Sequence, residues 1–130
     1  MTRYVDGFVL PVRKDKVDAY RAMAEFAGKI WLEHGALEFV ECLADDVKSG
    51  AVTSFPQSVH LMEDELVVLS YIIYDSREHR DAVMKKVMDD PRLKEQMSKG
   101  DMPFDAKRMF FGGFRTIVEL ARGDVSGNSA

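Results

Sequence analysis

Residues 66–74 read Leu-Val-Val-Leu-Ser-Tyr-Ile-Ile-Tyr, and apolar side chains occupy both parities of the run. Val67, Leu69, Tyr71 and Ile73 share one parity; Leu66, Val68, Ser70, Ile72 and Tyr74 share the other. The β-branched and aromatic content of so short a segment suits a strand. Successive side chains of a strand point to opposite faces, so this one needs cover on both sides. Residues 108–120 repeat the feature, with Phe110 and Phe114 on one parity and Met109, Phe111 and Ile117 on the other. Any sheet built from these segments therefore has two apolar faces.

The rest of the chain supplies helices for only one of them. Residues 4–12 form a first strand by the same criteria. Asp15 is placed to cap a helix that runs to His34, where Gly35 supplies a left-handed stop. Its apolar positions Val17, Tyr20, Ala24, Ala27, Trp31 and His34 step by three and four, and Asp18, Glu25, Lys29 and Glu33 lie opposite. Residues 37–44 read as a second strand and residues 45–56 as an excursion rich in turn residues. Residues 58–62, the acidic turn at 63–65 and residues 66–74 read as a hairpin. Ser76 caps a second helix reaching Asp89, and Asp90-Pro91 opens a short one ending at Met97. The last strand, 108–120, contains Gly112-Gly113, which suits a bulge or a close backbone approach better than phosphate binding. Residues 1–121 make a single domain, and residues 122–130 are expected to be a disordered tail.

The order β-α-β-(β)-β-α-β is the split βαβ, ferredoxin-like arrangement. It is an α+β fold whose antiparallel sheet carries two main helices on one face. The second face is then bare and apolar, a patch larger than monomers usually expose. Covering about 600 Å² of it is worth on the order of 15 kcal/mol before association costs. A second copy of the chain is the simplest cover, so a homodimer with sheets face to face is predicted.

Several segments carry a family resemblance. Residues 4–9 (Tyr-Val-Asp-Gly-Phe-Val), 31–42 (Trp-Leu-Glu-His-Gly-Ala-Leu-Glu-Phe-Val-Glu-Cys), 53–56 (Thr-Ser-Phe-Pro) and 90–93 (Asp-Pro-Arg-Leu) are similar to the YbaA-like family of small bacterial proteins, as is the Met102-Pro-Phe-Asp105 stretch with the Lys107-Arg108-Met109 and Gly112-Gly113-Phe114 that follow it. That family is classed as a domain of unknown function. The resemblance spans about residues 3–120 and implies a dimeric α/β-barrel, a superfamily that includes monooxygenases, haem-degrading enzymes, lactone isomerases and stress-response proteins. It implies no particular reaction.

Composition and motifs narrow the classes further. Acids outnumber bases 22 to 18, for a net charge of -4, which disfavours a phosphate-seeking nucleic-acid binder. One cysteine, Cys42, allows no internal disulfide and no cysteine-based zinc cluster. No secretory leader or membrane-length apolar run is evident, and a cytoplasmic protein is expected. Phosphate-loop, dinucleotide, zinc-protease and serine-elbow motifs are missing, and neither a metal nor another cofactor is expected.

Candidate chemistry rests on polar residues at positions that pattern as apolar. Asp6 shares parity with Tyr4, Phe8 and Leu10; Glu41 shares parity with Leu37, Phe39 and Leu43. With the strand carrying Tyr71 between theirs, two carboxylates and a phenol would line one wall. A carboxyl group among apolar side chains has a raised pKa suited to acid–base work, although structural ion pairs account for the same pattern. His34, beside Trp31, is either a pocket histidine or one held by the helix dipole. His79 and Arg80 open the second helix, with Arg80 aligned with Val83, Met84 and Val87 and so able to clamp a ligand anion or an internal carboxylate. Asp105 and Arg108 lie in a loop with a hydrophobic anchor, as a pocket lid, a dimer contact or a salt bridge. The catalytic candidates are thus Asp6, His34 and Glu41, and the ligand-binding candidates Trp31, Tyr71, His79, Arg80, Asp105 and Arg108. Two readings stand: a small-molecule enzyme with a pocket between sheet and helices, and a non-catalytic binding or stress-response dimer. RNA binding ranks third.

Overall fold

The apolar run becomes β3 (Glu65–Tyr74), and it lies inside the sheet, flanked on both sides. The computed structural model describes residues 3–126. The other strands are β1 (Tyr4–Arg13), β2 (Glu38–Leu43) and β4 (Phe110–Arg115). They are arranged β2-β3-β1-β4 with every neighbour antiparallel. Helices α1 (Val17–Glu33) and α3 (Arg77–Met88) pack on one face, with α4 (Pro91–Ser98) following α3. This is the ferredoxin-like α+β order.

Most boundaries follow local rules. Gly35 takes φ 113° just past α1. Ser76 caps α3 by accepting a hydrogen bond from the His79 N–H at 3.0 Å, and Asp90 caps α4 through the Arg92 N–H at 2.9 Å. Asp15 does not cap α1. Its carboxylate instead accepts from the Arg13 guanidinium at 2.8 Å, a charge-assisted bond, and residues 14–16 form a 3₁₀ turn.

The register sorts the faces. Asp6 and Phe39 both lie opposite Ile72, and Phe8 and Glu41 both lie opposite Ser70, so these residues share the face under the helices. Ile72, Tyr74, Ile30, Val83, Val87 and Leu93 form one core cluster there; Leu10, Val12, Tyr20, Ala24 and Val68 form a second. Phe8 packs against both. The opposite face carries Val5, Val40, Leu69, Tyr71, Ile73, Phe110 and Phe114. Leu69, Phe110 and Phe114 are exposed there, Phe114 at 63%.

Residues 58–62 do not form the expected hairpin strand. Ser54 caps a single helical turn, α2 (Phe55–Ser58), by accepting from the Gln57 N–H, and the His60 and Leu61 N–H groups turn back to the Gln57 and Pro56 carbonyls instead of a ladder partner. Val59 then inserts against Val9 and Val67, so this excursion covers one end of the second sheet face. The last strand is also shorter than the expected 108–120. It pairs only with residues 4–9 of β1, Arg108 is held in a turn by the Asp105 carbonyl, and a single bond from the Thr116 N–H to Arg3 continues past its end. Gly112-Gly113 does not interrupt it. Within the tail expected to be disordered, Arg122–Ser126 is described as a short helix, α5, whose Asp124 carboxylate accepts from the Ala121 N–H at 2.7 Å. Residues 127–130, the rest of that expected tail, lie outside the described residues. Among the described residues, no helix is long and apolar enough to cross a membrane.

Candidate functional site

β2 is an edge strand, and Glu41 is the acidic residue on its helix-facing side. Glu41 is exposed as a whole, yet its carboxylate turns inward and accepts a 2.7 Å hydrogen bond from the hydroxyl of Tyr20 on α1. Tyr20 itself is buried. The pair stands at the junction of two spaces. The outer one is a cleft of about 410 Å³ between α1 and β2, floored by Ala24, Gly28, Phe39 and Val68 and rimmed by Arg21 and the Glu25–Lys29 ion pair. The inner one is a chamber of about 130 Å³, walled by Phe8, Met23, Trp31, Phe39, Phe104 and Met109. Tyr20, Phe39 and Glu41 border both.

Sequence explains why this part of the helix–sheet interface is open. Ala24 and Gly28 place the smallest side chains of α1 over β2. A Cβ on Gly28 would stand 2.6 Å from Phe39 Cδ1, so the Phe39 ring lies in the space that only glycine leaves. Trp31, one turn away, packs on Phe39 with ring centroids 6.0 Å apart, and its Nε1–H donates to the Tyr74 hydroxyl at 3.0 Å.

Burial sets the electrostatics of the pair. Desolvation raises the Glu41 pKa above the ordinary glutamate value, against the opposing hydrogen bonds from Tyr20 and Ser70. Desolvation, reinforced by the Glu41 charge, raises the Tyr20 pKa well above the usual tyrosine value, which keeps its hydroxyl protonated as a donor. Chemically the site offers one carboxylate acceptor, poised to hold or take a proton, in a wall of aromatic and sulfur-containing side chains.

The other carboxylate is elsewhere. Asp6 is buried two positions along β1 from Phe8, and Arg80 reaches it from α3 with Nε 3.6 Å from Oδ1. Arg80 also donates to the Tyr4 hydroxyl at 3.0 Å and lies over the Tyr4 ring. Burial raises the Asp6 pKa, and Arg80 and Tyr74 oppose the rise. Gly113, level with Asp6 on β4, is what admits this network: a Cβ there would collide with the Tyr4 hydroxyl and the Arg80 guanidinium. Asp6 Oδ2 and Arg80 Nε have no hydrogen-bond partner among the described residues.

Tyr71 borders the chamber as part of β3, but its side chain is not on the wall that carries Glu41. The register sets it opposite Gly7 and Val40, on the other face of the sheet from Asp6 and Glu41, so the expected three-residue wall is corrected to the single carboxylate Glu41. His34 caps the end of α1 and places Nε2 2.8 Å from the Asp90 carboxylate at the start of α4. Arg92 and then His34 hold the Asp90 carboxyl far below its usual range. His79 accepts at Nδ1 from the Asp75 N–H and packs edge-on against Tyr74. Arg108 grips the buried Glu65 with two bonds of 2.7 and 2.6 Å, and Asp105 at 2.8 Å. That clamp is outside the chamber but fixes the loop carrying Phe104 and Met109, which line it. Among the described residues, no three His, Cys, Asp or Glu side chains converge as a metal site. The residues that sequence reasoning missed are Tyr20, Phe39 and Ser70. Tyr20 patterns as core, and its one signal is a hydroxyl on the same stripe as Ala24 and Gly28.

Residues 3–106 match the profile of a family described as "Protein of unknown function (DUF1428)". The chain is 52% identical over 117 residues to "Uncharacterized protein YbaA" of Escherichia coli (strain K12), covering 90% of this chain and 98% of that one. The Shigella flexneri protein of the same description matches equally. Among solved structures, a dimeric ferredoxin-like protein from an uncultured marine organism superposes with a TM-score of 0.54 at 12% identity, over 94% of this chain and 100% of that one.

Proposed function

Because this chain belongs to the DUF1428 family, whose members are described only as proteins of unknown function, its chemistry must be read from the site; we propose a homodimer that binds a small organic molecule in the space between α1 and the sheet. The observation that carries this reading is the Tyr20–Glu41 pair, two polar groups held at the boundary of an apolar chamber and an open cleft. Fixed polar groups in an otherwise apolar concavity are the usual composition of a ligand site.

Dimerisation is supported by the open sheet face, where Leu69, Phe110 and Phe114 lie exposed beside Val40, Tyr71 and Ile73. The solved ferredoxin-like neighbour is itself described as dimeric. Interfaces of stable dimers bury about 800 Å² per partner, which a four-stranded sheet face can supply. The exposed, unpaired Cys42 suits a reducing compartment, and on that ground we place the protein in the cytoplasm, which cell fractionation tests.

Binding is preferred to catalysis because the other acid–base candidates are engaged elsewhere. Arg80 holds Asp6, and Asp90 holds His34. A catalytic reading rests on Glu41 alone, as a general base whose pKa burial has raised. Native mass spectrometry of protein purified from its own host tests the proposal. A dimer with a bound small mass, released on denaturation and lost in Glu41→Leu, supports it. A clean monomer that takes up no small molecule overturns it.

A further inference from the structure

The dimensions and donor count of the inner chamber narrow the ligand class, on the premise that the chamber is the binding site proposed above. We infer that the chamber takes a single aromatic ring bearing one acidic O–H, a simple phenol, whose hydroxyl donates to the Glu41 carboxylate.

Size comes first. The chamber of about 130 Å³ is on the scale of an apolar cavity of roughly 150 Å³ that holds one benzene ring. A fused or long-chain ligand would have to extend past Phe39 into the outer cleft. Wall chemistry comes second. Phe8, Phe39, Trp31 and Phe104 offer aromatic faces and edges, and Met23 and Met109 offer thioethers, the partners a flat π-system prefers.

The polar group is decided by counting donors. Glu41 brings a carboxylate that accepts the Tyr20 hydroxyl through Oε1, and carboxylate oxygens have capacity for further donors. A ligand carboxylate would meet this charge at close range and be repelled. A ligand ammonium would pair with this charge but must shed its own hydration to enter an apolar chamber, a cost that a neutral hydroxyl largely escapes. An ether or hydrocarbon adds no donor to those that Tyr20 and Ser70 already give the carboxylate. A phenol brings one donor for one acceptor. The protonated Tyr20 already occupies that relationship from the α1 side, and a bound phenol would occupy it from the chamber.

The test uses full-length wild-type protein and three probes of matched size, p-cresol, its isomer anisole, and benzylamine. Isothermal titration measures affinity, and the fluorescence of Trp31, the only tryptophan in the chain, reports entry into the chamber. p-Cresol is expected to bind about tenfold or more tighter than anisole, the usual worth of a hydrogen bond to a charged acceptor. That preference should shrink in Glu41→Gln, which keeps a weaker acceptor, and vanish in Glu41→Leu, with circular dichroism confirming the fold. Anisole binding as tightly as p-cresol overturns the phenol assignment and leaves the binding cavity standing. Benzylamine binding tightest overturns it in favour of a cation site. Failure of all three to bind or to perturb Trp31 overturns both the assignment and the cavity reading. Because the wild-type comparison needs no variant, a misfolded Glu41 substitution does not rescue the proposal.

Discussion

The hydroxyl of Tyr20, on α1, donates a 2.7 Å hydrogen bond to the carboxylate of Glu41, on the edge strand β2. The two residues are 21 positions apart, and their contact is where a polar pair faces space between helix and sheet instead of being packed over.

This pair has a pH signature. The folded chain binds the Glu41 proton more tightly than the unfolded chain, because burial raises its pKa above the ordinary 4.5. As pH rises from the unfolded value through the raised folded value, the unfolded state loses its proton first, and Glu41 progressively subtracts stability. Glu41→Gln removes that loss. The stability of the variant relative to wild type is therefore expected to increase with pH from about 4.5 upward. Urea titrations of both proteins across this range measure the difference, and a difference that is flat or falls with pH contradicts the assignment.

Gly28→Ala sets helix propensity against packing. Alanine favours a helix interior by about 1 kcal/mol, whereas overpacking against Phe39 costs about 1–3 kcal/mol. The 2.6 Å approach to Cδ1 makes packing the winner, so the variant should be less stable than wild type in urea and bind p-cresol more weakly. A gain in stability would show that Phe39 moves aside freely.

Neighbouring glycines in β4 should behave differently. A methyl at Gly113 meets the Tyr4 hydroxyl and the Arg80 guanidinium over the Asp6 carboxylate, while one at Gly112 meets only Phe114 at 3.7 Å. Disturbing the pairing of a buried carboxylate costs about 3–5 kcal/mol. Gly113→Ala should lose most of that, and Gly112→Ala should stay within about 1 kcal/mol of wild type. Chemical denaturation of both variants separates them, and equal losses would discount the Tyr4–Arg80–Asp6 network.

Arg108→Met leaves Glu65, 6% exposed, without its bidentate partner. A loss of about 3–5 kcal/mol at neutral pH is expected. Arg108 holds the Glu65 pKa below 4.5, so the stability it contributes is present above that value and is lost as pH falls through the lowered folded value. The gap between variant and wild type should therefore narrow in acid. Thermal melts at neutral and acidic pH check this, and a gap independent of pH would count against the ion pair as the cause.

Leu69→Lys places a charge in the middle of the open sheet face, where Leu69 is 41% exposed. Dimerisation across this face predicts a monomer by sedimentation velocity with an intact circular dichroism spectrum. A variant that stays dimeric would move the interface elsewhere.

Much of the architecture was legible because it rests on local rules. The three- and four-residue steps from Val17 to Trp31 describe α1, and Ser76 and Asp90-Pro91 cap the helices they were expected to cap. Glu41 stood out as an acid on an apolar parity, as did Asp6. The structure separates them: Arg80 answers Asp6, while Glu41 borders a chamber.

Parity along one strand is set by backbone geometry, so the sequence by itself determined which residues of β3 share a face and that both faces are apolar. Register between strands comes from long-range pairing, and a shift of one residue turns every side chain over. Only the tertiary structure could place Tyr71 on the far side of the sheet from Glu41. The same holds for Val59, which covers part of the second face, and for the space beside Gly28, which Phe39 fills from another element. Elements follow from neighbours along the chain; the site follows from neighbours across it, and those distances are fixed only when the sheet and α1 pack together.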